Sequence, residues 1–194
     1  MARGALNVTL ENESEIAAQL KSLPDGGKKA LQGTVNQLRN RVPAWVGQEV
    51  SKIYSIKKAE IKASATKKGA GAVSIAGNTV DSLYLEYKGR VLTPTHFKMK
   101  PKAPKGKAYQ VTAEVYKGQR KTLSPIAFLG QSGGGDTPYI PFQRTETSRL
   151  PIEAIKTVSI PQMIDNEEVN DVIYNRIEEE AVKVLNNQIS RYMK

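Results

Sequence analysis

Few residues in this sequence have chemistry to offer beyond charge. His96 is the sole histidine. It stands in a run rich in proline and lysine, with no acid or cysteine at a metal-ligand spacing and no nucleophile for it to activate. Gly133-Gly134-Gly135-Asp136-Thr137 invites comparison with a phosphate-binding loop, but the Gly-Lys-Ser/Thr ending is missing and no helix is expected after it. Glu178-Glu179-Glu180 would point around a helix, since neighbours are about 100° apart, and so form a solvated surface rather than a paired-carboxylate site. These observations predict no catalytic centre, cofactor or metal, and a protein that is not an enzyme. Charge is what remains. Between Lys88 and Lys121 there are ten basic residues and one acid, Glu114. Lys98, Lys100, Lys102, Lys105 and Lys107 could contact phosphates without reading sequence, in a salt-sensitive way. Phe97 and Tyr109 could stack on bases, but two aromatics make a poor single-strand platform. The plainer reading of the same lysines is a soluble exposed loop, or pairing with acids on a neighbouring copy.

Composition narrows the classes further. At 194 residues the chain can fill one core. A hydrophobic share of 39% and an aromatic share of 6% predict exposed elements that finish burying their apolar faces against a partner. No run of 18 apolar residues is present, so no membrane association is expected, and the start Met1-Ala2-Arg3-Gly4 predicts synthesis in the cytosol. The chain has no cysteine, which excludes disulfides and thiolate metal sites. The net charge of +10 is unevenly spread: from Met163 onward, seven acids meet four bases. Such asymmetry suits an anionic partner on one side, or head-to-tail packing in which a basic middle meets an acidic helix.

The elements that must position these charges follow from periodicity. Residues Gly4 to Leu10 alternate as a short strand, and Asn12 to Glu15 would cap a brief helix that Pro24 ends. From Lys28 to Ile56, apolar residues recur every three or four positions, a helix in which Pro43 predicts a kink or a break. Trp45 lies on its apolar stripe as a core anchor. Lys57 to Lys68 reads equally as more helix or as an edge strand. Val73 and Ile75, then Thr79 to Val91, read as strands. Thr93 to Lys107 carries three prolines and five lysines, a composition that predicts a flexible basic loop with no core of its own. Tyr109 to Val115 resumes a strand, Lys117-Gly118-Gln119-Arg120 turns it back, and a second flexible loop spans 130–137. Asp165-Asn166-Glu167-Glu168 caps a long last helix with apolar face Val169, Val172, Ile173, Ile177, Val184, Leu185 and Tyr192. The fold expected is α+β and a single domain over 1–194. An antiparallel sheet or small sandwich between residues 73 and 160 would be flanked by a kinked N-terminal helix and a long C-terminal helix.

The stretch from Pro138 to Met163 reads as strand, turn and returning strand, the return running through Leu150, Ile152, Ile155, Val158 and Ile160. Prolines at 138, 141, 151 and 161 require at least one arm to lie at a sheet edge or carry a bulge. Arg144, then Ser148-Arg149-Leu150-Pro151-Ile152-Glu153, then Ser159-Ile160-Pro161 before a C-terminal helix, resemble the signature of the minor tail protein Z family of tailed bacteriophages and prophages. The resemblance covers the last third of the chain. It extends more loosely upstream to Pro125-Ile126-Ala127-Phe128, a glycine-containing loop and a basic helical N-terminal half. Lys156-Thr157-Val158 stands where such proteins often carry Gly-Pro, which leaves the local turn open.

The resemblance implies a non-enzymatic, structural virion protein. It would complete the head-proximal end of a tail and enable head–tail joining, after synthesis in the host cytoplasm. Its partners would be other copies of itself in a ring, a hexamer if the ring follows the tail's six-fold symmetry, together with tail terminator, tail tube or head–tail connector proteins. Arg144, Arg149, Leu150, Pro151, Ile152 and Glu153 would make the subunit contact, and the basic loop would face a partner or the lumen through which DNA passes. The alternative from another class is a free-standing, sequence-independent DNA-binding protein.

Overall fold

The computed structural model describes residues 2–7, 18, 24–66, 73–76, 84–106, 108–124, 126–133 and 137–192. Apart from Ala18, the expected N-terminal brief helix lies outside them, as do Lys107 and residues 134–136 of the glycine-rich loop. The class is α+β, with small antiparallel sheets beside an N-terminal helix and a long C-terminal one.

Two helices make the main core. Helix α1 (Pro24–Ile53) buries Leu38, Val42, Trp45, Val46 and Val50. A last helix, Glu167–Tyr192, buries Val169, Ile173, Ile177, Ala181, Leu185 and Ile189, four residues apart along one side. The two faces join in a single apolar cluster. Arg176 fixes how they meet: its guanidinium lies 5.2 Å from the centre of the Trp45 ring and donates to Gln48 Oε1 at 3.0 Å and Glu49 Oε1 at 3.3 Å. Helix α1 runs through Pro43 without a break. The ring removes one amide donor, but the residues on either side, Leu38, Val42, Trp45 and Val46, are all buried against the partner helix, and that packing holds the line. Val172 and Tyr192, expected on the apolar face of the last helix, are 46% and 41% exposed. The buried stripe passes through Ile173, and its neighbour Val172 is turned away by about 100°.

The stretch 57–68, open between helix and strand, contains helix α2 (Lys58–Thr66). The strands do not form one sheet. β1 (Ala2–Asn7), β2 (Val73–Ala76) and β3 (Tyr84–Gly89) make a three-stranded antiparallel sheet with β3 in the middle. β4 (Thr112–Glu114) and β5 (Arg120–Thr122) make a hairpin closed by Gly118, whose φ of 74° only glycine adopts freely. β6 (Phe128–Gly130), β7 (Ile140–Arg144) and β8 (Ile152–Ala154) make the third sheet. The strands between 73 and 160 are too short, and too often interrupted by glycine and proline, to pair across the whole set.

The expected hairpin is present, with Phe142 opposite Ala154, Gln143 opposite Glu153 and Arg144 opposite Ile152. β8 lies at a sheet edge, whereas Pro141 lies in the central strand. Pro141 is tolerated because its carbonyl accepts from Ile155 N at 2.8 Å, one residue beyond β8, so the missing donor falls at the end of the ladder. The return strand is shorter than expected. Ile160, read as strand, opens helix α3 (Ile160–Ile164), which leaves the Glu167–Tyr192 element as α4. Ser159 caps α3: its hydroxyl accepts from Gln162 N, and Gln162 Oε1 accepts from Ser159 N at 2.8 Å.

Segment 93–107 departs most from expectation. It begins with a 3-10 turn, Pro94–His96. Phe97 and Met99 are buried, the first in the main core and the second in a smaller cluster with Val111, Ala113, Ala127 and Leu129. Lys100 and Thr112 exchange both backbone hydrogen bonds at 2.8 Å. The reading that this stretch packs no core is therefore corrected. Its composition is basic, but Phe97, Lys98, Met99 and Lys100 alternate as in any half-buried strand.

Candidate functional site

Alternation builds the site. Along 97–100 the apolar residues point inward and the lysines outward, and along 111–114 Val111 and Ala113 point inward while Thr112 and Glu114 point outward. The Lys100–Thr112 bridge sets these two outward rows side by side. The end of α1 closes the third side. Ser55 N donates to Val115 O and Lys117 N donates to Ile53 O, both at 2.8 Å, and the Tyr54 and Tyr116 rings lie 4.8 Å apart. The cleft so enclosed has a volume of about 1520 Å³.

Glu114 is the hub of its floor. Its Oε1 accepts from Ser55 Oγ at 2.7 Å, Lys98 Nζ at 3.0 Å and Gly118 N at 3.3 Å, while Arg120 Nη2 lies 3.5 Å from Oε2. The Ser55 hydrogen bond, followed by those from Lys98 and Gly118, holds its carboxyl down at about 2. Arg120 is pinned further by donating to Lys98 O at 2.9 Å. Glu60, the other acid of the lining, meets His96 Nδ1 at 2.9 Å.

Of the lysines singled out in the sequence, Lys98, Lys100, Lys102 and Lys105 line this cleft, and Lys107 is outside the described residues. Lys57, Lys58, Lys117 and Arg120 line it too, and sequence reasoning missed them. Their only signal was position, just past a helix end and within a turn, and convergence with residues 98–105 depends on long-range packing. Lys57, Lys58, Lys100, Lys102, Lys105 and Lys117 form no ion pair with any described residue.

The hairpin residues lie elsewhere, and none from Arg144 to Glu153 lines the cleft. Arg144 lies 6.0 Å from the centre of the Phe128 ring. Thr145 closes the tip, its backbone N and its Oγ1 donating to Pro151 O at 3.3 and 3.2 Å, and Ser148 Oγ donates to Leu150 O. In and beside this clasp Arg149, Leu150, Pro151, Ile152 and Glu153 are exposed, Leu150 at 65% and Ile152, at the start of β8, at 39%. The expected contact residues thus share one tip. Among the described residues no group of His, Asp or Glu could hold a metal ion, and no helix is long and apolar enough to cross a membrane.

No family model, curated protein or solved structure matches the chain.

Proposed function

We propose that this chain is a structural virion protein that completes the head-proximal end of a phage tail and makes it competent to join the head. Its work is assembly, through contacts between subunits, and not turnover. The observation that carries this reading is the hairpin tip. Leu150 stands in solvent on a loop closed by the Thr145–Pro151 hydrogen bonds, and Ile152 is exposed beside it at the start of β8, with Arg149 and Glu153 on either side. An exposed leucine on a closed tip has no role in the fold's own core, and burying it against a partner would return about 1.5–3 kcal/mol. The same residues carry the resemblance to tail completion proteins. Copies would pack around the tail axis, with tail terminator, tube or connector proteins as neighbours.

The reading is tested on particles from the source labelled with a gold-conjugated antibody against this chain. Label is expected at the head–tail joint or at one end of free tails. Particles carrying Leu150→Asp with Ile152→Asp should yield heads and tails that stay apart. Unlabelled particles, where a known tail protein labels, would overturn the proposal and leave a free-standing DNA-binding protein as the leading account.

A further inference from the structure

We propose that the cleft is a sequence-independent binding site for the phosphate backbone of double-stranded nucleic acid. The inference stands on the cleft alone and holds whether or not the chain works in a particle.

Like charges brought together repel, and the fold brings together six that have no ion-pair partner among the described residues. Lys57 and Lys58 come from the start of α2, Lys100, Lys102 and Lys105 from the segment after the 3-10 turn, and Lys117 from the β4–β5 turn. Both acids of the lining are committed elsewhere, Glu60 to His96 and Glu114 to Ser55, Lys98 and Arg120. Cations with no ion-pair partner among the described residues therefore invite an anion from outside. At about 1520 Å³ the cleft is larger than common sites for small ligands, which run to about 1,000 Å³.

The kind of polymer follows from what the lining lacks. Lysine is a point charge on a mobile stem and lacks arginine's rigid planar fork, so six of them favour phosphate contact over the reading of a particular base edge. Neither aromatic is free to stack. Phe97 is buried in the core, and Tyr109 is held by its hydroxyl, which accepts from Leu129 N at 3.0 Å. A single strand bound through its bases has no platform here, whereas a duplex offers its backbone at about one charge per 1.7 Å. Glu114 sets the ceiling on affinity, because it withdraws Lys98 and Arg120 from ligand contact and adds a negative charge of its own.

The test is fluorescence anisotropy of the full chain with a labelled 30-base-pair DNA duplex of arbitrary sequence. Six lysine contacts predict a log–log salt slope of about −5 and a loss of roughly 10³-fold in affinity between 50 and 200 mM salt. Replacing Lys57, Lys100 and Lys105 with Gln should bring the slope to about −3. Replacing Lys28, Lys29 and Lys156 with Gln removes the same charge away from the cleft and should leave the slope unchanged. An equal loss in both triple variants would overturn the site, since net charge alone would then explain binding. A single strand of the same length bound more tightly than the duplex would overturn the backbone mode. Sedimentation at low salt covers the other occupant: if the cleft substitutions abolish self-association and leave duplex binding intact, the site belongs to the acidic helix of a second copy and the proposal fails.

Discussion

Glu114 shows how much one carboxylate can organise. It ties the end of α1 through Ser55, the segment after the 3-10 turn through Lys98, and the β4–β5 turn through Gly118 and Arg120. A carboxyl that falls from its ordinary 4.5 to about 2 on folding binds fewer protons folded than unfolded between those values. Its contribution to stability is complete above about 4.5 and is lost as the pH falls towards about 2. Thermal melts of the wild type and Glu114→Gln should therefore differ most at neutral pH, with the variant lower, and converge by about pH 2. A gap between the two that stayed constant from pH 5 to pH 2 would show that the carboxylate's charge has no part in the effect. Nothing in the sequence marked this residue beyond its isolation among basic ones. Ser55 is 59 positions away, and the His96–Glu60 contact spans 36, so both depend on a packing that no local pattern encodes.

At the scale of elements, legibility followed periodicity. Helices α1 and α4 and the β7–β8 hairpin stood out because long amphipathic repeats and turn residues are local signals. Helix α3 was missed for an instructive reason. Val158 and Ile160 continue the alternation of the preceding strand, while Ser159 and Gln162 form a capping pair three apart with Pro161 in the first turn, and the second signal won. Capping matters here because α3 carries Pro161, Met163 and Ile164 into the core and Ser159 itself is fully buried. Ser159→Ala should cost about 1 kcal/mol. In a chain of this length that lowers the melting temperature by about 2–4 °C, read by circular dichroism. Ser159→Thr, which keeps a capping hydroxyl without adding charge at this buried position, should recover part of the loss; if it melts with the alanine variant, capping by the hydroxyl is not what the substitution removes.

At the scale of the whole molecule, the described residues form two apolar clusters of unequal size, and the segment read from sequence as a loop joins them. Phe97 enters the large cluster that α1 and α4 build, and Met99, two residues on, enters the small one with Val111, Ala113, Ala127 and Leu129. Composition hid this, because lysine and proline outnumber the two residues that do the joining. A cluster of five buried residues held by short ladders should open at lower free energy than a helix pair. Native-state hydrogen exchange is expected to show it. The amides of Lys100, Thr112 and Leu123, bonded across the small cluster, should exchange through a partial opening, while those of Val46 and Ile177 wait for global unfolding. Met99→Ala should speed the first set by about 30-fold, which corresponds to about 2 kcal/mol at the low end for such a truncation, and leave the second set unchanged. If both sets accelerate together, the chain opens as one unit and the division is wrong. The division also bears on the cleft, whose lysines at 100, 102 and 105 ride on the small cluster while Lys57 and Lys58 stand on the helical side. A duplex bound across both would hold the halves together, so at 50 mM salt it should slow exchange at Lys100 and Thr112, and in 200 mM salt that protection should vanish with the binding.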